Sequence, residues 1–165
     1  MDYIYLTNLR IRREKMNQIS LKEVTKENIE DILQLQVKES QKSFVATTSK
    51  SLAYAYVSRD AVSPYGIYEE EQLIGYVSLI FDENDQMYNI WHFLIDAKYQ
   101  GYGYGKKAMR AVMYNIREKA YGLTNTVALG VDLNNKLAIH LYEEFGFIDS
   151  GETDDDGELI MLCKI

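Results

Sequence analysis

Residues 100–109 read QGYGYGKKAM, with glycines at alternate positions 101, 103 and 105 followed by two lysines. Alternating glycines cost conformational entropy on folding, so such a run calls for a reason. One reason is chemical. Glycine adopts φ > 0 and lets a ligand approach the main chain, and the first N–H groups of a helix have no partner within it. A strand ending at Ile95 or Asp96 ahead of the loop, and a helix starting near Gly105 behind it, would aim those amides at an anion, and a diphosphate suits the cradle. Each charge-assisted hydrogen bond of this kind contributes about 1.5–3 kcal/mol, and the helix terminus about 0.3–1 more. At short range such dipoles outweigh a net charge of −7.

Phosphate loops differ in their spacing. A P-loop requires G-x-x-x-x-G-K-[ST]; Gly101 to Gly105 is one residue short, and Lys107 stands where the magnesium-binding hydroxyl belongs. The dinucleotide fingerprint G-x-G-x-x-G/A is formally present as Gly103, Gly105 and Ala108. It belongs in a parallel βαβ unit with an acid about 20 residues on. Here the preceding strand belongs to an antiparallel run, and residues 122–126 offer no acid. A glycine-rich turn without a ligand is the other alternative.

The chain has 165 residues, one ordinary domain, with 47% hydrophobic and 26% charged side chains. That composition excludes a disordered, collagen-like or coiled-coil chain. Eighteen basic against 25 acidic side chains disfavour nucleic acid and anionic membrane and favour small cationic ligands. Cys163 is the only cysteine, so neither an intrachain disulfide nor a cysteine-rich zinc site is expected, and a reducing, cytoplasmic setting is. With only His92 and His140 besides, no metal is expected. No apolar run reaches the roughly 18 residues of a membrane span, and the opening YIYL is too short for a secretory signal. Residues 1–18, with Arg10, Arg12, Arg13, Lys15 and a second methionine at Met16, read as an N-terminal extension, or alternatively as an extra edge strand or loosely packed arm with solvated basic residues, and in either case without chemistry. The domain then runs from 19 to 165.

The elements that must position the loop follow from periodicity. ISLKEV (19–24) alternates as a strand, and Thr25 offers an N-cap to a helix burying Ile29, Ile32, Leu33 and Leu35. A second short helix is expected over Leu52–Ser58. Pro64 breaks the chain before Tyr65–Tyr68, and turns at 69–71 and 82–85 separate LIGYVSLIF (73–81) and MYNIWHFLID (87–96) into an antiparallel run. Met109, Val112, Met113, Ile116 and Ala120 follow a helical period that Gly122 stops. TVALGVD (126–132) is a strand, 135–145 a helix, and 147–153 with 158–164 a hairpin about DDDG. The sum is β-α-α-β-β-β-α-β-α-β-β, an α/β (α+β) domain with a mixed sheet.

Two elements carry a family resemblance. Q-x-x-G-x-G, formed by Gln100, Gly103 and Gly105, resembles the acetyl-CoA loop of the GNAT superfamily of N-acetyltransferases. NKLAIHLYEEFGF (135–147) is similar to that family's N-x-x-A-x-x-L-Y-E-x-x-G-F helix through Asn135, Ala138, Leu141, Tyr142, Glu143, Gly146 and Phe147. The resemblance spans Ile19 to Ile165 and implies a mainly antiparallel central sheet with helices on both faces. It also implies acetyl-CoA as cosubstrate. Main-chain groups of Phe93 and Ile95 would pair with the pantetheine arm, and Gln100, Gly101, Tyr102, Gly103, Tyr104, Gly105 and Lys106 would hold the diphosphate. Asn135 would hydrogen-bond the pantetheine. Tyr142, on the same helix face one i, i+7 step on, would lie near the sulfur and protonate the departing thiolate.

FLIDAKYQGYGYGKKAM with PYGIYEEEQLIGY looks most like the bacterial spermine/spermidine (diamine) acetyltransferase branch, which implies a small polyamine acceptor. Relatives there often carry a carboxylate on the strand before the loop, where this chain has Trp91 and His92. His92 is a candidate base because an ordinary imidazole titrates near neutrality. Orientation toward a neighbouring helix, or a water relayed to a carboxylate elsewhere, are its alternatives. Trp91, Tyr54 and Tyr56 are candidate faces for an ammonium, and Glu39, Asp60 and Glu83 candidate partners for a second one. His140 reads as a surface or packing residue and Cys163 as a small buried side chain. An aminoglycoside-like antibiotic, a protein N-terminus, or a sensor that binds acetyl-CoA without transferring it remain open, and the family's habit of edge pairing implies a homodimer.

Overall fold

β1 (Ile19–Glu23) forms where ISLKE alternates, and it pairs antiparallel with β2 (Val62–Glu69). The computed structural model describes residues 19–118 and 125–165; the extension read at 1–18, Ala120 and the stop read at Gly122 lie outside the described residues. β3 (Gln72–Asp82) and β4 (Met87–Ile95) continue the antiparallel run. Their turns carry positive φ at Glu70 and Gln86, and Asp82 Oδ1 accepts from the Asn84 and Asp85 amides at 2.8 and 3.3 Å. β5 (Thr126–Val131), β6 (Ile148–Thr153) and β7 (Leu159–Lys164) complete the seven strands of the described residues, in the order β1-β2-β3-β4-β5-β7-β6. Among them only β4 and β5 are parallel.

Among the described residues four α-helices join them: α1 (Ile29–Leu33), α2 (Thr48–Val57), α3 (Tyr104–Glu118) and α4 (Lys136–Glu144). Successive side chains of a strand point to opposite faces. Accordingly Val77 and Leu79 join one buried cluster with Met109, Val112, Met113 and Ile116 of α3, while Tyr76 joins another with Ile32 of α1. The sheet is thus covered on both faces, and the chain has the mixed, mainly antiparallel architecture expected.

Three local expectations need correction. The Thr25 hydroxyl caps the turn ahead of α1 and not α1 itself: it accepts from the Glu27 amide at 3.3 Å, the Thr25 N–H donates to Asn28 Oδ1 at 2.8 Å, and Asn28 is the residue that precedes the helix. So short a helix buries Ile32 fully and leaves Leu33 36% exposed. α2 starts four residues before Leu52, because Thr47 caps it by accepting from the Lys50 amide at 3.3 Å. Pro64 lies inside β2 and pairs in register with Ser78. Pairing with β1 begins only at Tyr65, so among the described residues no strand pairs with the outer edge at Pro64, where its missing N–H is tolerated.

Candidate active site

β4 and β5 are in register only at Tyr88–Val127 and Asn89–Ala128, and beyond Asn89 they diverge. The Asp96 amide donates to Ile74 O at 2.9 Å, which makes Ile95–Gly75 a non-hydrogen-bonded pair of the β3–β4 ladder. By alternation Phe93–Val77 is another. The main-chain groups of Phe93 and Ile95 therefore face away from β3, toward the gap that β5 vacates. There an extended ligand can add as a strand would. One of them, Ile95 O, is engaged by Gln100 Nε2 at 2.8 Å. The gap opens a cleft of about 1160 Å³ that runs from the glycine loop past β4 and β5 to α4 and the β6–β7 turn.

At one end stands the loop. Gly101 and Gly103 have φ of 88° and 80°, and a Cβ on either would meet nothing within 4 Å. The expectation of positive φ fails at Gly105, which already belongs to α3. The first bond into that helix runs from the Lys107 amide to Gly103 O at 3.2 Å, leaving the amides of Tyr104, Gly105 and Lys106 without helical partners. Asp96, only 4% exposed, secures the loop's base by accepting from the Lys98 and Gln36 amides at 2.9 and 3.1 Å. These free amides and open glycines fit a diphosphate.

The side chains of the loop do less than its main chain. Gln100 Nε2 is committed to Ile95 O and to Gln41 Oε1 at 2.9 Å, a structural tie between the loop and the segment before α2. Tyr102 is 74% exposed. Tyr104 donates its hydroxyl to Glu69, whose carboxylate raises the phenol's pKa, and so it turns toward the end of β2. Neither tyrosine lines the cleft. Lys106 does, paired with Glu144 at 2.9 Å.

α4 forms the facing wall. Asn135 caps it, its Oδ1 accepting from the Ala138 amide at 3.3 Å, which leaves the Nδ2 protons for a ligand. Tyr142 is 8% exposed, its ring 5.9 Å from that of Phe147. No hydrogen bond within the protein involves its hydroxyl, yet among the described residues no fully buried side-chain polar atom lacks a partner, so that oxygen opens on the cleft. Burial, and secondarily the Glu158 charge, raise the pKa and keep the phenol protonated.

His92 faces the helix side and the cleft together. Its Nδ1 lies 2.9 Å from Ser51 Oγ on α2 and 3.1 Å from Ser78 Oγ on β3, and Ser51 lies 2.9 Å from the Tyr76 hydroxyl. A β-bulge between Ser78 and Leu79 leaves Trp91 opposite no residue of β3, its ring 4.5 Å from that of His92. Burial, and then Lys50, push His92 down from 6.5 to about 4. The imidazole is therefore neutral near pH 7, and the argument from an ordinary imidazole pKa does not hold. Between those two values the unfolded chain binds a proton that the folded one refuses, so stability falls as pH is lowered from 6.5 toward 4. His92→Gln is expected to lose less stability than the unsubstituted protein across that interval in thermal unfolding; parallel curves would acquit His92.

The remaining candidates separate. Trp91 lines the cleft and Tyr54 packs edge-on against it at 5.5 Å, but neither Tyr54 nor Tyr56 lines the cleft itself, and Tyr56 is 74% exposed. Residues two apart on a helix do not share a face, so α2 can present only one of them. Glu39 is an exposed partner of Lys42 at 2.6 Å, while Asp60 and Glu83 border a different hollow beside β3. His140 is exposed, and Cys163 is buried with its thiol against Phe145 O at 3.5 Å, both as expected. A residue given no role from the sequence is Glu158, read only as the first residue of the last strand, which reaches the cleft wall beside Gly130.

Comparisons with known proteins establish the fold and the family. A spermine/spermidine N(1)-acetyltransferase of Bacillus subtilis (strain 168) is 34% identical over 153 residues, covering 89% of this chain and 99% of that protein. Among solved structures, the aminoglycoside acetyltransferase AAC(6')-Ib in complex with coenzyme A superposes with TM-score 0.73 at 19% identity, covering 89% of this chain and 95% of the other. Mutant forms of the spermidine/spermine N-acetyltransferase SpeG from Vibrio cholerae superpose with TM-score 0.64 at 19% identity, covering 90% and 93%. At those identities the likeness shows the fold. The model of the acetyltransferase (GNAT) family matches residues 29–147. On that match and on the Bacillus relative, the chain belongs to the acetyltransferase (GNAT) family and is an acetyl-CoA-dependent N-acetyltransferase.

Proposed function

We propose that the protein acetylates a primary amine of a polyamine such as spermidine or spermine, with Tyr142 as general acid. When bound, acetyl-CoA supplies an acetyl group activated as a thioester. The observation that carries the reading is the Tyr142 hydroxyl, nine-tenths buried, unpaired, protonated and open on a cleft whose far end is the amide-rich loop. The amides of Tyr104, Gly105 and Lys106 hold the diphosphate, Phe93 and Ile95 hold the pantetheine through their main chain, and Asn135 Nδ2 donates to it. Tyr142 holds its proton where the sulfur leaves.

His92 orients the amine as a neutral hydrogen-bond acceptor. A free alkylammonium titrates near 10 and an ordinary carboxylate near 4, so His92 at about 4 is no stronger a base than a carboxylate, and the amine's proton leaves through water to solvent before attack. Trp91, backed by Tyr54, gives the amine an aromatic wall. The relative's activity on spermine and spermidine supports the choice of substrate, and a lone buried cysteine suits the cytoplasm. Pairing of two copies through sheet edges gives the homodimer.

Thiol release measured across a panel of amines tests this. Release is expected with spermidine and spermine, and not with lysine, peptides or kanamycin-like aminoglycosides. Turnover confined to an aminoglycoside or a peptide N-terminus would replace the substrate, and stoichiometric acetyl-CoA binding with no release from any amine would make the protein a sensor.

A further inference from the structure

Tyrosines aside, only four polar side chains are buried among the described residues: Thr48, Ser51, Ser78 and Asp96. Asp96 secures the loop, while Ser51 on α2 and Ser78 on β3 are fully buried against one imidazole, that of His92. A third hydroxyl joins them. Tyr76, itself fully buried, lies 2.9 Å from Ser51 Oγ and belongs to an apolar cluster with Ile32, Leu73 and Leu94. Hydroxyls in such surroundings cost stability unless they are hydrogen-bonded, and alanine or phenylalanine would fill the same space without that demand. The backbone is shaped to the cluster as well. Adjacent residues of a regular strand point to opposite faces, but the bulge between Ser78 and Leu79 sets His92 opposite Ser78 with the Trp91 ring 4.5 Å from its own.

His92 is neutral and has one proton to place on two ring nitrogens. Nδ1 meets Ser51 Oγ and Ser78 Oγ together, at 2.9 and 3.1 Å. A hydroxyl brings one proton and two lone pairs, so a cluster of hydroxyls is richer in acceptors than in donors. With Tyr76 donating to Ser51 and Ser51 to Ser78 at 3.4 Å, each serine keeps one lone pair for Nδ1, and Ser78 in turn hydrogen-bonds Tyr76. An N–H can be shared between those two oxygens. A bare nitrogen has a single lone pair in the ring plane, and one of the two oxygens would then face it lone pair to lone pair. Nε2 makes no hydrogen bond within the protein, and no fully buried side-chain polar atom among the described residues lacks a partner, so Nε2 opens on the cleft.

Resting on the polyamine reading above, in which His92 accepts a hydrogen bond from the amine, we infer that Ser51 and Ser78 are positioning residues: they hold the His92 proton on Nδ1 and turn a bare Nε2 to the acceptor amine. The choice of tautomer matters to the chemistry. An imidazole of the other tautomer presents an N–H, which engages the lone pair that the amine needs for attack on the thioester. α2 and β3 thus fix the orientation of the nucleophile through one ring.

Nitrogen-15 spectra of the histidine-labelled protein, free of any ligand, read the tautomer directly. Near pH 7 the His92 signals are expected to show a protonated Nδ1 and a bare Nε2. In Ser51→Ala/Ser78→Ala the proton moves to Nε2, and kcat/KM for spermidine falls about three- to tenfold, the worth of one hydrogen bond. Acetyl-CoA affinity stays within about twofold. Adding Tyr76→Phe removes the hydroxyl that the alanine pair orphans, so the triple variant carries the same test if the pair fails to fold. A proton on Nε2 of the unsubstituted protein, a proton left on Nδ1 in the variants, or a moved proton with unaltered kcat/KM for spermidine overturns the inference. Equal losses in kcat/KM and in acetyl-CoA affinity do so too. The expected tautomer and its shift, found in a protein that acetylates no polyamine, refute the proposed reaction and leave the hold of the serines on His92 standing; polyamine acetylation by a protein with the proton on Nε2 does the reverse.

Discussion

Tyr142→Phe is expected to lower turnover about 100-fold or more, while the dissociation constant for acetyl-CoA stays within about twofold. The size follows from the proposed role, since a positioned general acid is worth about 10²- to 10⁴-fold. The separation of effects follows from the structure. The Tyr142 hydroxyl makes no hydrogen bond inside the protein, so phenylalanine leaves no group orphaned and keeps the ring contact with Phe147 at 5.9 Å. Stability should hold or rise slightly, because the variant no longer buries a polar oxygen. The phenol's raised pKa adds a pH signature: Tyr142 remains a proton donor through the whole neutral and mildly alkaline range, so the alkaline limb of the rate profile does not come from ordinary phenol ionisation near 10. Near-full turnover in the phenylalanine variant, with thiolate departing unaided, would remove Tyr142 from the chemistry. A parallel loss of acetyl-CoA affinity would instead make it a binding residue.

What could be read from residue order was what depends on local periodicity and on main-chain geometry. The element sequence and the glycine loop are of this kind: Gly101 and Gly103 adopt the positive φ that only their spacing suggested. Tyr142 belongs with them, since its i, i+7 relation to Asn135 is a helix property. The acceptor side was not legible, because it is assembled across long sequence separations. Ser51, Ser78 and His92 meet only when α2 packs on β3 and β4, and their contact sets a titration that no inspection of His92 alone would anticipate. Glu158 reads as the flank of a DDDG turn until β5 is paired with β7 and Gly130 is found beneath its carboxylate. Conversely, Glu39, Asp60 and Glu83 looked suitable by charge, yet the first is spent on Lys42 and the others border a separate hollow. Tyr56 fails for a simpler reason, the angular step of a helix. The divergence of β4 from β5 has a faint signal, a run of apolar residues on β4 whose partner strand is one helix and a loop away, but its extent is visible only in the register.

The loop gives the second large effect. Replacing both Gly101 and Gly103 by alanine is expected to raise the dissociation constant for CoA about 30- to 300-fold. The cause is not crowding, since a Cβ at either position has nothing within 4 Å inside the protein. It is the backbone: at φ of 88° and 80° an L side chain costs roughly 1–2 kcal/mol per position, and relief of that strain turns peptide planes away from the site. Restoring both planes against the ligand costs about 2–4 kcal/mol, whereas leaving one turned forfeits an amide worth about 1.5–3 kcal/mol toward a charged ligand; the two costs are alternatives, and either corresponds to about the stated loss. Asp96 and the Gln100–Gln41 tie hold the loop's base, so the damage stays local and the thermal midpoint drops by only a few degrees. Pantetheine, which lacks the diphosphate, supplies the internal control. Its weak binding along Phe93 and Ile95 should survive the double substitution while CoA binding collapses. Equal losses for the two ligands would mean that the substitutions had deformed the whole cleft, and an unaltered CoA affinity would mean that the free amides ahead of α3 hold nothing.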